Sequence, residues 1–287
     1  MRMKEEHIGL MAYEAISLVT VALSSVFSVA MGFVGGSNRG PMVGRSYTLS
    51  VTLLISLLAV LGVFIFHNLL LKGDDVTLRF IVALVFTPVA SLSVIVLGIA
   101  ILGALYKRYA SIDQLSLPLC IITLAAIYLG IFTSIFILAD MLPDNAKNAV
   151  YVFYGSILGS VLGYAMPTTI TASLLLTLGA CDVLILWLPQ YKGRMLSALR
   201  DNKRTIRHVS ISTNYIDIGL GDIVLYAMIS GHAISRLTVW GSATVIVVLV
   251  VGLLVNAYVL MKREMIPGLM FTAIPSALSM LILLAIP

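Results

Sequence analysis

Of the 13 acidic residues in the chain, two interrupt long apolar stretches, and these are the groups best placed to do chemistry. Glu5, Glu6, Asp74, Asp75, Asp113, Asp144, Asp201 and Glu264 fall in polar segments, and Glu14, Asp140 and Asp217 lie near the ends of apolar ones. Asp182 and Asp222 are different, each flanked on both sides by apolar sequence. A charge at membrane depth costs at least ~2.5–3.5 kcal/mol on insertion scales, so a buried aspartate needs a reason to be there. A single one could be an interhelical hydrogen bond or an ion site. A pair at one depth can do more. Like charges held close cannot both ionise, so the two would share a proton and titrate as a unit. One carboxylate then acts as base on a water while the other, protonated, donates to a carbonyl oxygen. That is two-aspartate hydrolysis of a peptide bond, and it needs neither a metal nor a cofactor.

Two further segments belong with the pair. In Ile218-Gly219-Leu220-Gly221-Asp222, small residues precede the carboxylate and leave room for a neighbouring helix or an extended substrate backbone. Pro267-Gly268-Leu269 follows Lys262 and Arg263, where a proline suits the start of a helix. Pro275-Ser276-Ala277-Leu278 offers a similar string deeper in the same stretch, but with an extra serine, so the first is preferred.

The elements that must carry these groups are membrane helices. Hydrophobic residues make up 60% of the 287 and charged residues 11%, against about 25% charged in a soluble domain. The mean hydropathy is +1.07. Apolar blocks long enough for a bilayer core predict nine helices, over 8–33, 47–71, 78–105, 117–141, 149–166, 168–188, 217–235, 239–261 and 268–286. The chain is therefore expected to be all-α and to form one transmembrane domain. Helices one to five occupy 1–166, helices six to nine occupy 167–287, and a cytoplasmic basic loop spans 190–216. The fifth helix is short, and Gly155, Gly159 and Gly163 give it a stripe suited to close packing. The start of the chain does not read as a cleaved signal, because its apolar run is long and Glu14 interrupts it.

Charge fixes an orientation. With the N-terminus cytoplasmic and the C-terminus outside, thirteen of the 18 Lys and Arg fall on the inside. The net charge of +5 is read as this bias, not as a nucleic-acid surface. Lys192 to Arg207 could lie on the membrane as an amphipathic helix, with Met195, Leu196 and Leu199 toward lipid, or could be a solvated basic loop. Cys120 and Cys181 both sit in apolar blocks and imply no disulfide framework.

Taken together these residues resemble the presenilin and signal peptide peptidase family of intramembrane aspartyl proteases, in particular its compact archaeal members. That family carries Tyr-Asp on its sixth helix, Gly-x-Gly-Asp on its seventh and Pro-Ala-Leu at the start of its ninth. Gly219-Leu220-Gly221-Asp222 matches in full, and the run on to Ala233 is similar as well. Asp182 matches the first aspartate, with Cys181 in place of the tyrosine, and Gly268 stands in place of the alanine. The resemblance covers about Ala180 to Leu269. It implies Asp182 and Asp222 as catalytic residues, Cys181, Gly219, Leu220 and Gly221 as their support, and Pro267, Gly268 and Leu269 as substrate-binding. It also implies transmembrane helical peptides or remnant signal peptides as substrates and a single intact chain, since the loop between the catalytic helices is short. The competing class is a proton- or cation-coupled transporter, in which Asn256 and His67 could join the aspartates along a path.

Overall fold

A computed structural model describes residues 2–35, 45–72, 74–109, 116–139, 141, 143–187, 210–212, 217–260 and 268–285. Among these residues it is nearly all helical. The helices are α1 (Arg2–Gly35), α2 (Arg45–Lys72), α3 (Asp75–Tyr109), α4 (Ser116–Leu138), α5 (Asp144–Ala165), α6 (Thr168–Trp187), α7 (Leu220–Arg236), α8 (Val239–Leu260) and α9 (Ala273–Ala285). Strands β1 (Ser210–Ser212) and β2 (Asp217–Gly219) form an antiparallel pair ahead of α7.

Five stretches are long and apolar enough to cross a membrane: Met11–Ala30, Val76–Ile99, Leu117–Leu138, Thr168–Ile185 and Val239–Leu260. Ser50–Ile65 and Ala273–Ala285 are apolar but shorter. Outward-facing positions are themselves apolar, as in the run Leu53, Leu54, Leu57, Leu58 and Leu61 on α2 and Ile121, Leu124, Ile127 and Ile131 on α4. Exposed apolar faces of this extent suit a lipid solvent.

The more polar helices α5 and α7 lie inside. Every residue of α7 from Leu225 to Ala233 is buried, with α5 and α1 packed along it. The glycine stripe of α5 makes this possible. A Cβ on Gly155 would come 2.9 Å from the Ile223 side chain. One on Gly159 would come 2.8 Å from Met228 N, and one on Gly163 would come 2.7 Å from His232 N. Carbon atoms prefer contacts of about 3.5–4.0 Å, so only glycine lets the two backbones meet here. Serines fill the third side. Ser24 of α1 hydrogen-bonds Ser230, and Ser160 of α5 donates to Ser24 O (3.1 Å).

Pro167 ends α5 and leaves two of its carbonyls without the usual helical donor, since proline has no N–H and Thr168 begins a new helix. α7 supplies both. His232 Nδ1 donates to Gly163 O (2.8 Å), which leaves Nε2 to accept from the Thr168 hydroxyl (3.0 Å). Arg236 donates through Nε (3.2 Å) and a terminal guanidinium nitrogen (2.8 Å) to Tyr164 O. Outside the span, Asp74 caps α3. It accepts from Thr77 N (3.1 Å) and from the Thr77 hydroxyl (2.6 Å), and these bonds hold its carboxyl below the usual carboxylate range.

Ser210–Ser212, within the basic loop expected over 190–216, is strand β1. Two expected helix starts are corrected. α7 begins at Leu220, not at 217, and Asp217-Ile218-Gly219 is strand. The alternation Ser-Ile-Ser against Asp-Ile-Gly places Ile211 opposite Ile218, and both are buried. α9 begins at Ala273, so Gly268 to Thr272 form a turn and not a first helical turn. The basic segment Lys192 to Arg207 lies outside the described residues.

Candidate functional site

Asp182 sits five residues before the end of α6, roughly 8 Å along its axis. Asp222 is the third residue of α7, not a residue embedded in mid-helix. The hairpin explains this: β2 runs straight into Gly219, the extended N-cap of α7 (φ −62°, ψ 136°), so the carboxylate emerges in the first turn. That is where helical N–H groups lack partners and favour negative charge. Both aspartates are partly accessible.

The turn at Gly268 to Thr272 links them. Leu269 N donates to Asp182 Oδ2 at 3.0 Å. On the other side of the same peptide group, a Cβ built on Gly268 would lie 2.9 Å from Asp222 Oδ2, 3.4 Å from its Cγ and 3.6 Å from its Oδ1. With standard bond lengths, the two carboxylates are at most about 10 Å apart. α6 reaches the turn because Gly179 lets it settle on Ile274, where a Cβ would sit 2.8 Å from that side chain. α8 reaches it because Gly252 faces the Phe271 and Thr272 backbone, where a Cβ would come 3.0 Å from Thr272 Cα. The Gly268 carbonyl accepts from Thr272 Oγ1 (3.1 Å), from Asn256 Nδ2 and, at 3.5 Å, from the Tyr226 hydroxyl. Tyr226 OH in turn lies 3.2 Å from Tyr13 OH on α1.

The sequence-predicted residues fall into place unevenly. Asp182, Asp222, Gly268 and Leu269 come together. Gly219 and Leu220 bring Asp222 out of the strand and into the helix. Among the described residues a Cβ on Gly221 would meet nothing within 4 Å, and Gly221 is exposed, so no described helix packs against it. Cys181 is a free, partly accessible thiol next to Asp182. Pro267 lies outside the described residues, as does the His67 side chain. Pro275 occupies the first turn of α9, where its missing N–H is not needed, and Ser276 and Ala277 are buried behind the site. Among the described residues no three His, Cys, Asp or Glu side chains form a group that could hold a metal ion.

The sequence reading gave no role to Tyr13, Tyr226 or Thr272. Tyr226 lies four residues after Asp222, on the same helix face, and that spacing was a usable signal. Tyr13 gave none, since it meets Tyr226 across 213 residues of sequence. Asn256, which as a buried amide is expected either to bond a neighbouring segment or to join a transport path, donates to the Gly268 carbonyl.

What this arrangement offers chemically is two carboxylates from separate helices and an irregular backbone segment held against both. No family model matches the chain, and no curated protein matches it.

Proposed function

We propose that the protein is an intramembrane aspartic endopeptidase that hydrolyses peptide bonds within transmembrane helices, with Asp182 and Asp222 as its acid–base pair. The observation that carries this reading is the Gly268–Leu269 peptide group, tied to Asp182 and abutting Asp222. The resemblance to presenilins and signal peptide peptidases points to the same activity, to nine membrane spans and to a cytoplasmic N-terminus.

In this reading a substrate helix unwinds locally beside the turn. Unwound backbone in lipid must find new partners. Strand addition supplies them, and the hairpin β1–β2 next to Asp222 is already extended. The ionised carboxylate takes a proton from a water held between the pair. The resulting hydroxide attacks the scissile carbonyl carbon while the protonated carboxylate gives its proton to the carbonyl oxygen. Collapse of the tetrahedral diol breaks the C–N bond: one carboxyl gives its proton to the leaving amine, while the diol hydroxyl that re-forms the carbonyl gives its proton to the other carboxylate, so the pair again holds one proton.

The test is cleavage of a single-span helical reporter in liposomes. Asp182→Asn and Asp222→Asn each lose cleavage while keeping the wild-type melting profile. Retained cleavage in either variant overturns the assignment. Proton or cation flux through wild-type proteoliposomes, without proteolysis, would favour transport instead.

A further inference from the structure

Asn256 is the single amide side chain in α8, a helix otherwise built almost wholly of Val, Leu, Gly and other uncharged residues, and it is 3% exposed. A buried amide is costly unless it is partnered. Its Nδ2 donates to the Gly268 carbonyl, while its Oδ1 is buried without a partner among the described residues. That carbonyl and the Leu269 N–H belong to one peptide unit, and a peptide unit is planar. Fixing the oxygen therefore fixes the direction of the N–H, which donates to Asp182.

We propose that Asn256 is a positioning residue of this site: it locks the Gly268–Leu269 peptide plane so that the Leu269 N–H stays on Asp182. The inference rests on the proteolytic reading above for its kinetic consequences, but not for its structural one. Two further groups back the clamp. Thr272 Oγ1 holds the same oxygen at 3.1 Å, and Tyr226 approaches it at 3.5 Å with Tyr13 behind. Gly252, one helical turn before Asn256, brings α8 close enough for the short amide to reach, since any side chain there would strike the Phe271 and Thr272 backbone. Hydrogen bonds in series strengthen one another, so the donor at the carbonyl also improves the N–H that faces Asp182.

Two measurements on the full chain in detergent test this. The first is amide hydrogen exchange, read by mass spectrometry on peptides covering Gly268 to Thr272. Asn256→Ala speeds exchange of the Leu269 amide about fivefold, the worth of one ordinary hydrogen bond, while α1 and α5 exchange as in the wild type. Unchanged exchange at Leu269 overturns the clamp. The second is the kinetics of the helical reporter. Asn256→Ala lowers kcat by about fivefold or more with KM within twofold, because the plane is needed at the reacting carboxylates and not for substrate capture. Asn256→Leu separates a donor from a space-filler, being close in size but unable to donate. It loses kcat as Asn256→Ala does, with KM again within twofold. A wild-type kcat in Asn256→Leu overturns the donor role. Absence of cleavage by the wild-type chain would sink the proteolytic reading and leave the exchange result to judge the clamp on its own.

Discussion

Gly159 is a position where one added methyl should drive two buried helices apart. A Cβ there would lie 2.5 Å from the Ala227 Cβ and 2.8 Å from Met228 N, and closer still to the Val224 carbonyl oxygen. Two of these three are α7 backbone atoms, which no rotamer change can move. Contacts of about 3.5–4.0 Å are the favourable ones, so α5 and α7 must separate by roughly 1 Å. A gap of that size forfeits about a quarter to a half of the dispersion energy of the atoms facing it. Overpacking costs about 1–3 kcal/mol, and the helical preference for Ala over Gly returns about 0.5–1 kcal/mol. Because backbone must move, the overpacking cost lies in the upper half of its range, and Gly159→Ala is net destabilising by about 1–2.5 kcal/mol, or a fall of about 2–10 °C in melting temperature at this size. Gly62 is the control. A Cβ there meets nothing within 4 Å, so Gly62→Ala changes only the helical preference and should melt at or slightly above the wild type. Gly155→Ala should fall between the two, because the atom it meets is a movable Ile223 methyl at 2.9 Å. The assay is thermal unfolding in one detergent, followed by circular dichroism. The reasoning fails if Gly159→Ala melts within 1 °C of the wild type, or if Gly62→Ala falls as far. Because α7 carries Asp222, the displaced variant should also lose turnover, since about 1 Å of misplacement can cost about 100-fold.

Gly268→Ala would put a methyl 2.9 Å from Asp222 Oδ2 and rotate that carboxylate; an off-rotamer side chain costs about 0.5–1.5 kcal/mol, so reporter cleavage should drop about two- to tenfold with little change in melting. His232→Ala strands the buried Gly163 carbonyl and leaves a cavity where the imidazole was; a loss of about 2–4 kcal/mol should appear in the same melts. The Asp74 cap is pH-dependent. Its folded carboxyl titrates below the usual range, so the stabilisation is complete above the ordinary aspartate value and is lost as pH falls through the lowered one. Amide exchange at Val76 to Leu78 should quicken in acid for the wild type and be fast at every pH for Asp74→Ala.

Five of the helices were legible as long apolar runs, which length alone marks, while α5 and α7 are less apolar and were legible from the breaks that flank them. Their ends were less so. Pro167 marked the break between α5 and α6, but nothing in the sequence said that His232 and Arg236 would take over the carbonyls it frees. The glycines of α5 announced close packing without naming α7 as the partner. Asp182 and Asp222 stood out because a carboxylate in apolar sequence is rare. The hairpin was hidden for the opposite reason. Three-residue strands barely register as an alternation, and Ile218-Gly219-Leu220 reads equally well as the start of an apolar helix. The irregular turn at Gly268 was also misread, since Pro267 suggested a helix start and the three donors that hold the Gly268 carbonyl come from Tyr226, Asn256 and Thr272. Contacts between distant segments, such as Tyr13 with Tyr226, leave no trace in a single sequence.

The central place of α5 and α7 bears on how the chain is assembled. Among the described residues neither contains a stretch apolar enough to count as a membrane span, yet both lie in the middle of the helix packing. Serines, glycines, His232 and Arg236 make them poor solutes for lipid, and the bonds that satisfy those groups come from each other and from α1. α1 is made first, α5 midway and α7 after both. The partners that satisfy the polar groups of the helix carrying Asp222 are therefore already synthesised when that helix emerges.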